Sequence, residues 1–352
     1  MATLPTAAAE DLDLVRGLVA AGTDVARINC SHDDADTWRP MAANERTAVL
    51  ECGRPCRISM DLGGPRARTG RVRMLEEGTR LRPGEAFSLH EPGAERRSRL
   101  PVEVECSLEG IVEQLRPGES VWVDEGSVRA IVDQTDGATA ILRVLQTGPK
   151  GARLRADKGL NFPDTELRLS PLTPKDLRDL DTVAEIADIV AHSFVQRASD
   201  VDLLHDELGR RTDRTLALIA KVETAFAVRQ LPEIIVQAAG RRPLAVMIAR
   251  GDLAVEIGYP RLAEIQEELL WLCEAAHVPV IWATQVLDTF VRKGVHSRAE
   301  MTDAAMAERA ECVMLNKGPY QLEAVAVLDE VLGRMEGHQA KKTSRLRALG
   351  AW

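Results

Sequence analysis

Three short polar clusters, each at the end of an apolar run, hold the residue types in this chain that could do chemistry. Lys221-Val222-Glu223 follows LALIA, Arg250-Gly251-Asp252 follows PLAVMIA, and Ala283-Thr284-Gln285 follows VPVIW. Uninterrupted apolar runs separated by helical patterns are typical of parallel strands buried on both faces. In a closed (β/α)₈ barrel, the carboxyl ends of the strands line the mouth where active sites are built. The pattern therefore predicts a cation, carboxylates and a hydroxyl at one site, as in an enzyme.

The elements that must position these clusters alternate along the whole chain. An amphipathic helix is predicted before TDVARINC, with Leu12, Val15, Leu18 and Val19 on one face. Two further helices are predicted over 261–277 and 320–337. The predicted strands are ATLP, TDVARINC, CRISMDLGG, TVAEIADIVAHSF, TLALIAKVE, PLAVMIARGD, VPVIWATQ and ECVMLNKG. Such alternation indicates right-handed βαβ units, and we predict an α/β fold, a (β/α)₈ TIM barrel.

One segment interrupts this alternation. Between residues 71 and 156, short alternating runs such as TRLRPGEAFSLH and ATAILRVLQTG lie between Pro-Gly and Asp-Gly turn signals. We predict a small antiparallel β-barrel domain inserted at 71–156. Residues 1–70 then form the first part of the TIM barrel, residues 157–338 form its remainder, and 339–352 form a charged tail.

Composition excludes several classes of protein. The chain has 352 residues, 45% of them hydrophobic, and a net charge of −9, which disfavours binding to a phosphate backbone. We therefore expect no nucleic-acid partner. No apolar stretch is long enough to span a bilayer, and the N-terminus does not resemble a secretory signal. The six cysteines lack the spacing of a zinc site, so we expect buried reduced thiols in a cytoplasmic protein.

Ordered motifs run through nearly the whole chain. They are ARINCSHDD, MDLGGPRARTG, VWVDEGSVRAIV, DKGLNFP, SFVQRASDV, IAKVET, IARGDLAVEI, WATQVLDT, HSRAEMTDAA and VMLN. In this order they resemble the motifs of the pyruvate kinase family, from the first barrel strand through the eighth helix. The resemblance implies a TIM barrel whose inserted domain is a lid for the nucleotide. It also implies glycolytic phosphoryl transfer from phosphoenolpyruvate to ADP, giving pyruvate and ATP.

The sequence departs from the family pattern at its ends and near the site. It shows no counterpart of the family's C-terminal domain, and its start within the first strand suggests a segment of a longer protein. Leu62 and Gly63 stand where the family has a threonine and a lysine, and Arg66 stands where a glutamate is common. The loop NKGPYQLEAV is shorter than usual, with Asn316 in place of a serine.

The resemblance assigns a divalent metal and a phosphoryl contact to the first two clusters. Glu223 and Asp252 would bind Mg²⁺ or Mn²⁺ through oxygen ligands, which hard cations prefer. Lys221 would be a catalytic charge at the transferring phosphoryl group. The alternatives are solvated surface carboxylates and an ion pair of Lys221 with Glu223 or Asp252.

The third cluster and the glycine of the second are assigned to the substrate. Thr284 would bind the substrate and take part in protonating the enolate through a water relay, since a threonine is a poor acid unaided. Gly251 allows close backbone approach, and the N–H groups of Gly251 and Asp252 at a helix start would suit a substrate carboxylate. The alternative for Thr284 is a β-branched residue that ends a strand.

Phosphate contacts are assigned to basic residues near the other strand ends. Arg27 would bind substrate and nucleotide, and Arg68 would contact the nucleotide and act in catalysis, because both offer forked donors. Ser193 is a substrate-binding candidate that could also serve only the backbone. His32 and Lys158 are further nucleotide-binding candidates.

A monovalent-cation site is implied by Asn29, Ser31 and Asp61. Leu62 removes one oxygen ligand of that site, and Arg66 brings a fixed positive charge into the same segment. In the family, a lysine at this position goes with independence from K⁺. We therefore predict that K⁺ is dispensable.

Two other functions remain open from the sequence. One is a lyase or aldolase acting on pyruvate-like enolates, which the inserted domain argues against. The other is a non-catalytic barrel that binds phosphoenolpyruvate, which the altered 62–66 segment and the short loop after strand eight favour. A homodimer through the HSRAEMTDAA segment is also left open.

Overall fold

The first strands and helices follow the predicted alternation. In this computed structural model, which describes residues 1–94 and 100–339, Asp11 caps the first helix by accepting a hydrogen bond from the Leu14 N–H at 2.9 Å. That helix buries Val15, Leu18 and Val19, as its amphipathic pattern predicts. The elements are β1 (Ala2–Thr3), α1 (Leu12–Ala20), β2 (Val25–Asn29), α2 (Ala35–Cys52) and β3 (Arg57–Asp61).

A second sheet follows β3 and forms the inserted domain, for which we keep the name lid. Its strands are β4 (Thr69–Met74), β5 (Ala86–His90), β6 (Val102–Cys106), β7 (Ser120–Val123), β8 (Val128–Thr135), β9 (Thr139–Gln146) and β10 (Leu160–Asn161). The strand order is β10-β7-β8-β9-β5-β6-β4, and an antiparallel bridge between Arg68 and Gly159 joins the two edges. The pairs are antiparallel except for β5 with β6, which run parallel. These strands run from Thr69 to Asn161, whereas the sequence placed the insertion at 71–156.

The chain then returns to the barrel. The remaining elements are α3 (Pro174–Ile186), β11 (Ile189–His192), α4 (Ala198–Gly209), β12 (Ala217–Val222), α5 (Ala225–Ala239), β13 (Leu244–Ala249), α6 (Arg250–Ile257), α7 (Tyr259–Ala275), β14 (Val280–Ala283), α8 (Asp288–Lys293), α9 (Arg298–Met306), β15 (Cys312–Val313) and α10 (Gln321–Gln339). The HSRAEMTDAA segment thus contributes most of α9, and its role in a homodimer stays a prediction.

The barrel sheet has eight parallel strands in the order β1-β2-β3-β11-β12-β13-β14-β15. A parallel bridge between Ala2 and Leu315 closes it, and the Thr3 N–H donates to the Leu315 carbonyl at 3.0 Å. All the strand carboxyl ends therefore face the same mouth. The predicted fold class is confirmed.

One predicted strand was too long. TVAEIADIVAHSF was predicted as a single strand, but Thr182–Ile186 is the last part of α3 and only Ile189–His192 pairs in the barrel. The α3 helix begins at a capping box formed by Thr173 and Asp176, with a proline at its first position. Its buried face includes Thr182, Val183 and Ala184, so an apolar run alone did not separate helix from strand.

Other sequence predictions have mixed outcomes. All six cysteines are free thiols; Cys30, Cys56, Cys106 and Cys273 are buried, as expected, whereas Cys52 and Cys312 are partly exposed. No helix in the described ranges combines the length and the apolarity needed to cross a membrane. Most of the predicted charged tail, 340–352 of 339–352, lies outside the described residues.

A buried carboxylate ties the start of α3 to the segment before the lid. Asp176 is fully buried, and its Oδ1 accepts from the N–H groups of Gly63 and Gly64 at 2.9 and 3.3 Å. Its Oδ2 accepts from the N–H and the hydroxyl of Thr173 at 2.8 and 2.6 Å. Gly64 has φ +67°, and a Cβ there would lie 2.9 Å from Ser193. Asp176 therefore fixes a backbone turn that only glycine fits.

We expect Asp176→Ala to lower the free energy of unfolding by about 3 kcal/mol, because it removes a buried carboxylate and leaves the partly buried N–H groups of Gly63, Gly64 and Thr173 without their acceptor. Asp181→Ala on the same helix is the control, since that exposed carboxylate only pairs with Arg211 and should cost at most about 1 kcal/mol. Urea titrations of both variants measure the difference. Equal losses in the two variants would contradict the assigned role of Asp176.

Candidate active site

Most of the predicted site residues lie at the carboxyl ends of the barrel strands. Asn29 ends β2, Asp61 ends β3, Lys221 lies in β12, and Gly251 and Asp252 lie in the first turn of α6 after β13. A cavity of about 550 Å³ opens there, which we call the mouth cavity. The predicted residues that line it are Arg27, Asn29, Ser31, His32, Ser193, Lys221, Glu223, Gly251, Asp252 and Thr284.

Lys221 is held by three oxygen-bearing side chains. Its Nζ donates to the Ser193 Oγ at 2.7 Å and lies 3.1 Å from Glu223 Oε1. It also lies 3.7 Å from Asp61 Oδ2. Ser193 in turn donates to the Leu62 carbonyl at 2.7 Å. The alternative foreseen for Lys221, an ion pair with Glu223, is therefore present, and it fixes the ammonium at the cavity wall.

Arg27 and Asp61 form a buried ion pair beside Lys221. The Arg27 Nε donates to Asp61 Oδ2 at 2.8 Å, and its NH1 donates to the Thr3 hydroxyl at 3.0 Å. The other carboxylate oxygen of Asp61 is buried without a hydrogen-bond partner. Arg27 thus reaches the cavity with part of its donor fork already occupied.

The two carboxylates predicted to bind metal each have a cationic neighbour. Glu223 accepts from the Phe194 N–H at 2.5 Å and pairs with Lys221, whereas Asp252 pairs with Arg66 at 2.7 Å. Burial raises the pKa of Glu223, the charge of Asp252 raises it further, and Lys221 opposes this shift. The two acids are therefore close enough to repel each other electrostatically.

Thr284 has an unusual backbone conformation for a β-branched residue. Its φ is +74°, and a Cβ on Gly251 would lie 2.7 Å from the Thr284 Cγ2. Gly251 is therefore required so that α6 can begin against this side chain. Residues held in sparsely populated backbone regions persist only where the surroundings fix them.

Arg250 fixes the backbone of Thr284, a role that the spacing of residues along the sequence did not reveal. Its Nε donates to the Ala283 carbonyl at 2.9 Å and its NH2 donates to the Thr284 carbonyl at 2.6 Å. The guanidinium pairs with Asp303 on α9 and lies 4.5 Å from the ring centre of Trp282. The sequence shows a basic residue at the end of a strand. Its spacing along the chain does not tell that the Arg250 side chain points toward the Thr284 backbone.

Arg68 and Lys158 do not line the mouth cavity. Arg68 pairs with Asp157 at 3.0 Å, and Lys158 pairs with Asp124 at 3.0 Å. Both lie where the chain enters and leaves the lid. Their predicted nucleotide contacts, and the catalytic role of Arg68, stay predictions.

His32 lines the cavity and is a weak base there. Partial desolvation lowers the pKa of His32, and the positive charge of Lys317 lowers it further. A neutral imidazole at neutral pH would contribute hydrogen bonds to a nucleotide rather than positive charge.

The donor chemistry of Glu223 and Asp252 fits a divalent cation. The described residues contain no cluster of three or more His, Cys, Asp or Glu side chains suited to a metal. Mg²⁺, however, is commonly bound by one or two carboxylates, with substrate and water completing the shell. Burial is the main cause of the raised Glu223 pKa, and the charge of Asp252 adds to it. A divalent ion between the two carboxylates would offset that second contribution.

Sequence comparisons point to one family. The sequence model of the barrel domain of pyruvate kinase matches residues 1–325. The chain belongs to the pyruvate kinase family. It is 32% identical over 331 residues to a pyruvate kinase of Mycobacterium tuberculosis (strain CDC 1551 / Oshkosh), which covers 92% of this chain and 67% of that protein.

Two other pyruvate kinases show the same similarity. One from Agrobacterium vitis is 33% identical over 337 residues, covering 93% of this chain and 67% of that protein. One from Geobacillus stearothermophilus is 32% identical over 340 residues, covering 94% of this chain and 55% of that protein. The chain thus spans about two thirds of the first two relatives and about half of the third.

A second cavity of this pyruvate kinase family member, of about 260 Å³, lies where the lid joins the barrel. Its lining includes Pro65 and Ala67 before the lid, Phe162 after it, and Glu256 on α6. Burial raises the pKa of Glu256 to about 7, the hydrogen bond from Asn161 opposes this shift, and the charge of Asp252 adds to it. The Asn161 Nδ2 donates to Glu256 Oε1 at 3.2 Å.

This shift makes stability depend on pH. A carboxyl whose folded pKa is above its unfolded value stabilises the fold below the unfolded pKa, and that contribution is lost as pH rises through about 7. We expect Glu256→Gln to match the unmodified protein at pH ~5 and to be more stable by about 2 kcal/mol at pH ~8.

Urea unfolding at both pH values tests this expectation. Glu233→Gln is the matched control, because Glu233 is an exposed carboxylate on α5. A Glu256→Gln variant with no gain at the higher pH would show that the carboxyl is solvated.

Proposed function

We propose that this protein transfers a phosphoryl group from phosphoenolpyruvate to ADP, giving pyruvate and ATP, with Mg²⁺ or Mn²⁺ as cofactor. The observation that carries the proposal is the convergence of Lys221, Glu223, Asp252 and Thr284 on one cavity. Membership of the pyruvate kinase family supports it. A glycolytic role and a cytoplasmic location belong to the same proposal.

The chain's own residues account for binding and charge neutralisation. Phosphoryl transfer depends mostly on positioning and electrostatic stabilisation. Lys221, oriented by Ser193 at 2.7 Å, would face the transferring phosphoryl group, and Arg27 would offer its free donors to phosphate oxygens. The bond between phosphorus and the enol oxygen breaks, and a bond from phosphorus to the terminal ADP oxygen forms.

The proton step completes the reaction. The enolate left by transfer takes a proton at C3 to give pyruvate. The Thr284 hydroxyl would position a water for this proton, since its backbone is fixed by Arg250. The Gly251 and Asp252 N–H groups at the start of α6 would bind the substrate carboxylate.

Glu223 and Asp252 would hold the divalent ion, which would neutralise charge on the substrate oxygens.

The residues of the predicted monovalent-cation site fit such an ion less completely. Asp61 offers an unpartnered oxygen near Asn29 and Ser31, but the Leu62 side chain supplies none, and Arg27 already pairs with Asp61 at 2.8 Å. We therefore propose that K⁺ is dispensable. The positive charges next to Asp61 would be those of Arg27 and Lys221.

One observation favours a non-catalytic binding protein. Arg66 pairs with Asp252, one of the two proposed metal ligands, at 2.7 Å. A coupled assay with phosphoenolpyruvate, ADP and Mg²⁺ separates this alternative from the enzyme. Phosphoenolpyruvate binding without turnover would favour the binder.

We expect Glu223→Gln and Asp252→Asn each to weaken Mg²⁺ binding and to lower turnover by at least about a hundredfold, because each removes an anionic ligand from a hard cation. Calorimetric titration and the coupled assay measure the two effects. Asp288→Asn is the control, since Asp288 lines the same cavity but pairs with Arg292 at 3.2 Å. Unchanged Mg²⁺ affinity in both ligand variants would falsify the metal assignment.

Lys221→Met and Thr284→Val should separate the two chemical steps. We expect Lys221→Met to abolish phosphoryl transfer while slow, metal-dependent proton exchange at C3 of pyruvate continues. Thr284→Val should depress that exchange more than it depresses substrate binding, and Thr284→Ser should restore it because the hydroxyl returns. Exchange at the unmodified rate in Thr284→Val would place the proton relay elsewhere.

A further inference from the structure

Arg66 links the root of the lid to a proposed metal ligand. It lies between Asp61 at the end of β3 and Thr69 at the start of β4, in the segment by which the chain enters the lid. Its NH2 contacts Asp252 Oδ1 at 2.7 Å, and both side chains line the mouth cavity. The carboxylate is thus held by a cation that the lid segment carries.

The backbone below Arg66 is fixed, so its side chain is the part free to move. Asp176 binds the N–H groups of Gly63 and Gly64, and the Arg66 N–H donates to the Gly64 carbonyl at 2.9 Å. The Arg66 side chain is 37% exposed, whereas that of Asp252 is 19% exposed. A guanidinium on a long, partly exposed side chain can leave its partner by rotamer changes alone.

The other proposed ligand has a different kind of partner. Glu223 pairs with Lys221, whose side chain is 11% exposed and also donates to Ser193. That cation belongs to a barrel strand and is held by several contacts. The Arg66 contact is therefore the more easily broken of the two, because partly exposed ion pairs contribute little to stability.

We propose that Arg66 and the divalent cation compete for Asp252, and that metal binding releases the guanidinium into the mouth cavity for an anionic oxygen of the phosphorylated substrate. This rests on the proposed function, since it takes Asp252 as a metal ligand. Metal binding would thereby change a contact at the root of the lid before the nucleotide binds. Arg66 is in this scheme a positioning residue for the metal and a binding residue for the phosphate.

Titration of the full chain with Mn²⁺ in the absence of substrate tests the competition, with free Mn²⁺ followed by electron paramagnetic resonance. We expect Arg66→Gln to bind Mn²⁺ about fivefold more tightly than the unmodified protein, the size of a partly exposed ion pair of about 1 kcal/mol. Arg66→Lys should be intermediate, because it keeps the charge but loses the planar fork.

Arg68→Gln is the matched control. It removes the same charge from the same segment, but Arg68 pairs with Asp157 rather than Asp252. Unchanged Mn²⁺ affinity in Arg68→Gln together with a gain in Arg66→Gln supports the proposal. Equal gains of Mn²⁺ affinity in both variants would overturn the proposal, because a general electrostatic effect would then explain them. An unchanged or lower Mn²⁺ affinity in Arg66→Gln would overturn it as well.

A second readout follows the released guanidinium. At saturating Mn²⁺, Arg66→Gln should bind phosphoenolpyruvate several-fold more weakly, opposite in sign to its effect on the metal. Unchanged or tighter phosphoenolpyruvate binding would overturn the substrate contact. The assignment of Glu223 and Asp252 as metal ligands has its own test: it is wrong if Glu223→Gln and Asp252→Asn leave Mn²⁺ binding unaltered.

Discussion

A buried chain of alternating charges is the constraint on which the rest of the site depends. Asp61, with a side chain 1% exposed, stands between Arg27 at 2.8 Å and Lys221 at 3.7 Å, and Lys221 continues to Glu223 at 3.1 Å. A buried charge without a partner costs several kcal/mol, so each must keep its neighbour. The parallel register of β2 with β3, and the barrel order that brings β12 near them, supply these neighbours.

The backbone around the mouth cavity is also fixed by charged side chains. Arg250 binds the carbonyls of Ala283 and Thr284 while pairing with Asp303, and this holds Thr284 at φ +74°. On the other side of the mouth, Asp176 holds the turn of Gly63 and Gly64. In each case one charged side chain satisfies backbone groups that no strand or helix satisfies. These hydrogen bonds fix the backbone on two sides of the mouth cavity.

The segments that enter and leave the lid contact helix α6 of the barrel through polar side chains. Arg66 contacts Asp252, and Asn161 contacts Glu256, both on α6. The helix whose first turn contains Gly251, the proposed contact of the substrate carboxylate, thus also carries the lid contacts.

Local sequence patterns were enough to predict the barrel, the insertion and the residues that meet at the barrel mouth. Apolar runs and helical periods depend on local spacing, and residues at the carboxyl ends of parallel strands must share a mouth whatever the side-chain details. Lys221, Glu223, Asp252 and Thr284 could be assigned to one cavity for this reason. The run from Thr182 to His192 was misjudged because a buried helix and a buried strand are equally apolar.

The partner of each charged side chain could be found only from the folded structure. Arg66, expected beside Asn29, Ser31 and Asp61, pairs with Asp252, and Arg68 and Lys158 pair within the lid segments. The role of Arg250 behind Thr284 likewise required coordinates. Spacing along the chain fixes which strand end carries a residue, but the direction of a long flexible side chain depends on the charges that neighbouring elements bring within reach.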